Sequence, residues 1–361
     1  MKVQLDDICQ RIYAGGDVPK DRFSSVMTNN FTVPIFANAE KDNGLYGYTD
    51  IAREYDPCVT VAARGTIGFA AIRDEPFLPV VRLITVVPDR SIVTLKFLYY
   101  ALKSYKPKSS GTSIPQLTVP ELKKHSITLY SIEKQNRITQ ILDSVSQIIV
   151  DRHKELDALD DLIKARFVEM FGEGYPEATI LDLCNIIDYR GKTPEKVVDG
   201  LPFITAKNVK MHYMSIEPRE FISKETYDQV MVRGFPQEGD VVFTTEAPLG
   251  NVCRIPHFDT EFYVGQRIVT LQTEKLVPTY LEYALDTNTF KSKLAEKSSG
   301  STVTGIRVRL LEQLTIPVPP RVKQEQFADF VAQIDKSKSV IQKSLDKTQL
   351  LFDSLMQKYF E

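Results

Sequence analysis

Few side chains in this sequence fall at the spacings that chemistry requires. The four cysteines, Cys9, Cys58, Cys184 and Cys253, stand far apart with no CxxC pair, and the four histidines do not lie beside them at metal-ligand spacing. That pattern predicts reduced, structural thiols in a cytosolic, cytoplasmic protein without a metal site, and nothing in it favours a Cys/His nucleophile pair. The carboxylate pairs Asp6-Asp7 and Asp160-Asp161 could do acid–base work, yet a helix start and a solvated helix face account for them better. No GxGxxG follows a strand pattern. There is also no P-loop, no GxSxG, no HExxH, and no Asn/Asp-Pro-Pro-aromatic tetrapeptide of the kind that cradles a target adenine. The expectation is a protein that binds without catalysing and carries no cofactor of its own.

Composition sets the frame for that binding. The chain has 361 residues, 43% hydrophobic and 25% charged, with no apolar run near the length of a membrane span. Its start, MKVQLDDICQ, does not read as a signal peptide. A net charge of -2 argues against nucleic acid at first sight, and even residues 1–132 hold only 16 Lys and Arg against 13 Asp and Glu. With no basic tail or arm, any contact with DNA must come from a folded concave face, or from a partner that neutralises most of the phosphates.

The elements that would position such a face come in duplicate. Residues 109–171 align without a gap on residues 298–360, at a constant offset of 189. SSGTSIPQLTVPELKKHSITL opens the first copy and SSGSTVTGIRVRLLEQLTIPV the second. Gly111 faces Gly300, Leu117 faces Ile306, Gln135 faces Gln324, and Phe171 faces Phe360. Upstream the likeness continues with small shifts: FLYYAL from Phe97 resembles YLEYAL from Tyr280, Gly68 falls on Gly250, and Leu5-Asp6 on Leu181-Asp182. A period this long excludes short solenoid repeats and implies two whole domains, each followed by a long helix.

The helical tracts are heptad-like. Ile138, Leu142, Val145, Ile149, Arg152, Leu156, Leu159, Ile163, Arg166 and Met170 alternate steps of four and three. Phe327, Val331, Ile334, Lys338, Ile341, Leu345, Thr348, Phe352, Leu355 and Tyr359 do the same, and eight of ten positions are apolar in each tract. One reading packs each helix on its own domain. The other pairs them as an antiparallel coiled coil that holds two domains apart about a pseudo-twofold axis. Length favours pairing, since about 39 residues at roughly 1.5 Å each make ~58 Å, more than one domain needs to cover its core. Gly172 to Pro176 ends the first tract, and Pro317, Pro319 and Pro320 precede the second. The boundaries are therefore a first domain over 1–132, a helix over 133–171, a second domain over 172–320 and a helix over 321–361.

Each globular copy reads as mixed α/β. CVTVAARGTIGFAAI and GDVVFTTEAPLGNVCRI alternate around glycine turns as hairpins, and VVRLITVVP and YVGQRIVTLQ are further strands. TLKFLYYALKSY and TYLEYALDTNTFKSKL are amphipathic helices with Thr94 and Thr279 as N-caps.

This layout resembles the specificity subunits of Type I restriction-modification systems over essentially the whole chain. YRGKTPEK (Tyr189 to Lys196) is similar to the turn that opens many target-recognition domains of that family, and GGDVPKDRF at Gly15 to a variant of it. LPFITAKNVK, GDVVFTTEAPLGNV, GQRIVTL and SSGSTVTGIRVRLLEQLTIPVPPRVKQEQF resemble its successive elements, in order, and PIFANAEKDNGLYGYTD resembles a first-domain variant. In the first copy the run IPVPP is replaced by ITLYS (Ile127 to Ser131), which leaves that helix without a proline signal at its start.

The resemblance implies a non-catalytic reader of double-stranded DNA. Each copy would recognise half of a bipartite, asymmetric target, and the helices would set the gap. That gap is ~17 base pairs if ~58 Å of helix is laid along DNA at about 3.4 Å per pair. It also implies two adenine methyltransferase subunits carrying S-adenosylmethionine, and two restriction or translocase subunits using ATP and Mg. A tandem-domain coiled-coil adaptor for peptides or small molecules is the alternative; a stand-alone nuclease or methyltransferase is disfavoured by the missing motifs.

Reading bases takes paired donors and acceptors on glycine-flexed loops: Arg or Lys for guanine, Asn or Gln for adenine, Ser or Thr for either. In the second copy the candidates are Tyr189, Arg190, Lys192, Thr193, Lys207, Asn208, Gln266, Arg267, Thr302 and Arg307. In the first they are Lys20, Arg22, Arg64, Thr66, Thr112, Ser113 and Gln116. For any one of them a turn or solvated-surface role is the competing explanation. Gly65, Gly111, Gly191 and Gly300 are expected to be conformational.

Overall fold

The computed structural model describes residues 1–105, 116–172, 174–189, 191, 194–299 and 304–360. Its contacts divide the chain into two units: Met1–Lys154 with Gln342–Glu361, and Glu155–Ile341. The division passes through both long helices, because the two ends of each helix are built into different cores.

In the first unit, strands Cys9–Ala14, Ile84–Pro88, Cys58–Val61 and Ala70–Arg73 lie side by side in that order, all antiparallel. Every residue of Cys58–Val61 is buried, so this inner strand is covered on both faces. A second sheet of three strands joins Leu45–Thr49 to Val33–Phe36 and, in parallel, to Leu78–Pro79. Lys2–Gln4 pairs with Ser126–Thr128. Helix Leu95–Lys103 begins at Thr94, whose hydroxyl accepts from the Phe97 N–H at 3.3 Å.

The second unit repeats this plan. Asn185–Asp188, Ile268–Gln272, Val241–Thr244 and Val252–Arg254 form the same antiparallel order. Phe221–Ile222, Leu201–Ile204 and Tyr263–Val264 form the three-stranded sheet, again with one parallel pair, and Glu177–Thr179 pairs with Thr315–Pro317. The tract expected as one helix is two, Pro278–Ala284 and Asn288–Lys297. Thr279 is therefore not an N-cap: it lies buried inside the first of these, after Val277 at the cap and Pro278 at the first turn. Thr287 caps the second, accepting from the Phe290 N–H at 3.2 Å.

The long helices are Ile132–Phe171 and Arg321–Phe360, each of 40 residues, and both ends keep the offset of the sequence repeat. Where the second copy enters its helix through Pro319 and Pro320, the first uses Ser131, whose hydroxyl accepts from the Lys134 N–H at 3.4 Å.

Within each unit the two helices run antiparallel. In the first, Ile138, Leu142 and Val145 share a core with Phe352, Met356 and Phe360. In the second, Ile163, Phe167 and Phe171 share one with Phe327 and Val331, and Phe167 meets Phe327 edge-on at 5.3 Å. The polar seam residue Lys338 is matched by Asp160 at 2.5 Å. Pairing and domain packing are thus not alternatives, since the same residues do both.

Two repeated contacts join helix to domain. Phe360 packs on Phe97 at 5.0 Å, and Phe171 on Tyr280 at 4.9 Å, the equivalent pair with the copies exchanged, so that each domain meets the end of the other copy's helix. Gln135 and Gln324 are almost wholly buried at the helix starts. Gln135 accepts from the Thr94 N–H and donates to the carbonyls of Ile92 and Tyr130. Gln324 accepts from the Val277 N–H and donates to Pro319. Each glutamine therefore satisfies a backbone donor at the cap of a short helix that its own helix packs against.

Candidate nucleic-acid interface

In the first unit the turn after strand Cys58–Val61 is the place where candidates converge. The Gly68 N–H bonds back to Ala62 at 3.0 Å with Gly68 at φ 89°, a backbone that favours glycine. Arg64 and Thr66 are exposed on that turn. The chain reaching Leu117 docks on it, with the Leu117 N–H on the Ala63 carbonyl at 3.0 Å. This brings Gln116 to Arg64, whose Nε and Nη2 donate to the amide oxygen at 3.2 and 2.9 Å. Asn38 ties the assembly from the other side, accepting from the Ala63 N–H at 2.7 Å and donating to the Val81 carbonyl. Lys20 and Arg22 are exposed on a different loop. Arg22 forms a two-point ion pair with Asp50, which holds that carboxylate below its ordinary pKa.

The second unit builds the same turn after Val241–Thr244. The Gly250 N–H bonds to Thr244 at 3.0 Å with Gly250 at φ 92°, and the Ile306 N–H docks on the Thr245 carbonyl at 2.9 Å. Arg267, at φ 73°, donates through Nε to Glu246 at 2.6 Å, and Glu246 bridges to Gly305. Gln266 is half-buried beside Arg267, while Lys207 and Arg307 are exposed. Exposed ion pairs of this kind contribute only about 0–1 kcal/mol, so both groups can turn toward a ligand at little cost.

Two candidates point inward, which corrects their reading as base contacts. Tyr189 is 2% exposed, donates its hydroxyl to the Gly234 carbonyl and packs at a tilt on Tyr263, ring centroids 5.4 Å apart. Asn208 is 3% exposed, accepts from the N–H and hydroxyl of Thr205, and donates to the carbonyls of Ser215 and Pro218. Both shape loops from within. Thr112, Ser113, Arg190, Lys192, Thr193 and Thr302 lie outside the described residues, as do Gly111 and Gly300.

The cysteines are not poised as nucleophiles. Burial pushes the thiols of Cys9, Cys58, Cys184 and Cys253 up to about 12, whereas a nucleophilic cysteine needs the opposite shift. Among the described residues no group of His, Cys, Asp and Glu could hold a metal ion, and no helix is long and apolar enough to cross a membrane.

The family model for the type I restriction modification DNA specificity domain matches residues 1–159 and again residues 173–349. The chain belongs to that family. A putative type I specificity subunit of Mycoplasma pneumoniae is 35% identical over 161 residues, covering 45% of this chain and 48% of that protein. The match thus spans about half the length of that curated relative. A type I restriction enzyme specificity subunit of Methanocaldococcus jannaschii is 23% identical over 292 residues, 70% of this chain and 67% of that one. The crystal structure of a type I restriction-modification S subunit from M. genitalium shares the fold, with a TM-score of 0.59 at 16% identity over 100% of this chain and 96% of that one.

The two specificity domains put their docked loops on equivalent turns, yet the sequence reading passed over three residues there. Glu246 was missed because carboxylates were not among the residue types sought, although the step from Gly68 to Gly250 places it opposite Arg64. Arg82, exposed at φ 62°, lies in a stretch that reads simply as the start of a strand. Asn38 carries no signal in sequence, since its role depends on two loops brought together by the fold.

Proposed function

We propose that this chain is the non-catalytic, DNA-reading subunit of a cytoplasmic type I restriction-modification complex. Each specificity domain recognises one half of a bipartite, asymmetric duplex target, and the antiparallel long helices set the gap between the halves. The observation that carries this reading is the double family match falling on two units with one strand order and one docked-loop turn. Arg64, Thr66 and Gln116 in the first domain, and Gln266, Arg267 and Arg307 in the second, are the base-reading candidates that the fold exposes or half-exposes. Lys20, Arg22 and Lys207 suit backbone contacts.

Two adenine methyltransferase subunits are the expected partners. Two restriction or translocase subunits would complete the cutting complex. Methyl transfer and cleavage belong to those subunits, with S-adenosylmethionine, ATP and Mg bound there. A near-neutral chain then needs its partners for phosphate neutralisation. Gel-shift titration with purified methyltransferase subunit tests this. A duplex shift that appears with the partner and weakens as salt rises supports the reading; a complex that ignores DNA but captures peptides favours the adaptor.

A further inference from the structure

The two domains differ in sign at one place in the same turn. Arg64 and Glu246 each follow the residue whose carbonyl receives the docked loop, Ala63 or Thr245, and each stands four residues before the positive-φ glycine. Arg64 is aimed by Gln116, a residue 52 positions away. Glu246 is aimed by Arg267, and the side chains of that pair are 40% and 54% exposed. Arg64 is exposed and Glu246 half-exposed, and a carboxylate on a DNA-facing turn repels phosphates unless it meets an amino donor. In the major groove guanine offers adjacent O6 and N7 acceptors, which suit a guanidinium, and cytosine offers its N4 amino donor, which suits a carboxylate. Arg267 and Glu246 side by side present the complement of both edges of one G·C pair.

We propose that positions 64 and 246 make the two domains meet different bases at equivalent places, guanine through Arg64 and cytosine through Glu246, so that a G·C pair is read in opposite orientations. Arg64 donates to a guanine of one half-site, and Glu246 accepts from the cytosine amino group of a G·C pair whose guanine takes Arg267. This rests on the DNA-reading assignment above. The asymmetry of the target then arises from a charge reversal on one shared turn, without any change of scaffold.

The test uses the full chain with its methyltransferase partner, selecting from duplexes randomised across both half-sites, followed by competition over a salt series. Arg64→Ala is expected to lose discrimination at one position of one half-site, with binding to the selected duplex about 5- to 150-fold weaker and the other half unchanged. Glu246→Gln is expected to relax one cytosine in the other half. Arg64→Gln, whose amide suits adenine in place of the guanine acceptor pair, should lose the preference for guanine at the same position as Arg64→Ala. Loss of affinity equally across all duplexes, with a salt slope lower by about one, would mean a phosphate contact and overturn the assignment. So would wild-type selection by Arg64→Gln or Glu246→Gln. Selection of no duplex by the unmutated complex would remove the DNA-reading assignment and this proposal with it.

Discussion

Gln135 and Gln324 show how single residues tie this protein together. Each buries an amide whose every described bond goes to backbone, so truncation leaves donors and acceptors without partners inside the core. Gln135→Ala and Gln324→Ala are each expected to cost about 1–3 kcal/mol, read from chemical denaturation midpoints, because the stranded groups lose their desolvation compensation. His212 supplies a pH-dependent case. Its ring stacks on Tyr283 at 4.1 Å between Glu282 and Asp286, each at 3.0 Å. Burial lowers its pKa, but the bonds to Asp286 and Glu282 outweigh burial and the net shift is upward. A raised histidine stabilises fully below its unfolded pKa of about 6.5 and loses that contribution as pH climbs through the folded value. The second domain should therefore unfold at a lower temperature at pH 8.5 than at pH 6, and His212→Asn should flatten that dependence. An unchanged slope in the variant would place the pH dependence elsewhere.

Among the elements, the long helices were the most legible part of the sequence. Their heptad spacing and constant offset predicted helices over 133–171 and 321–361, where the structure has Ile132–Phe171 and Arg321–Phe360, because a periodic apolar stripe survives any local substitution. The hairpins were equally plain from their glycines. The short helix before Thr287 was not: TYLEYALDTNTFKSKL carries one continuous apolar pattern, and only packing shows that it breaks at Leu285 and restarts on a threonine cap. Tyr189 and Asn208 failed as base contacts for a related reason, since residue type cannot tell an inward-facing polar group from an outward-facing one. Phe171 and Phe360 are where helix and domain meet, and each buries its ring against an aromatic on a short helix. Replacement of either by Ala is expected to cost about 3–5 kcal/mol. The loss should appear chiefly in hydrogen exchange of the unit that holds that ring, the second for Phe171 and the first for Phe360.

For the whole molecule, duplication is the organising fact: one strand order, one glycine-hinged turn and one glutamine anchor, each made twice. A chain that repeats a scaffold but not its loop chemistry is suited to reading two different words, and Arg64 opposite Glu246 is the sharpest such difference among the described residues. Family membership agrees with that logic and comes from matches to both halves. The central claim is that the chain dictates which two-part sequence its partner methylates. Methylome sequencing of cells with and without this gene tests it most directly. The account predicts that one methyladenine motif, made of two unlike half-sites around a fixed gap, is present only with the gene. An identical methylome in both strains, with the methyltransferase partner expressed, would contradict it.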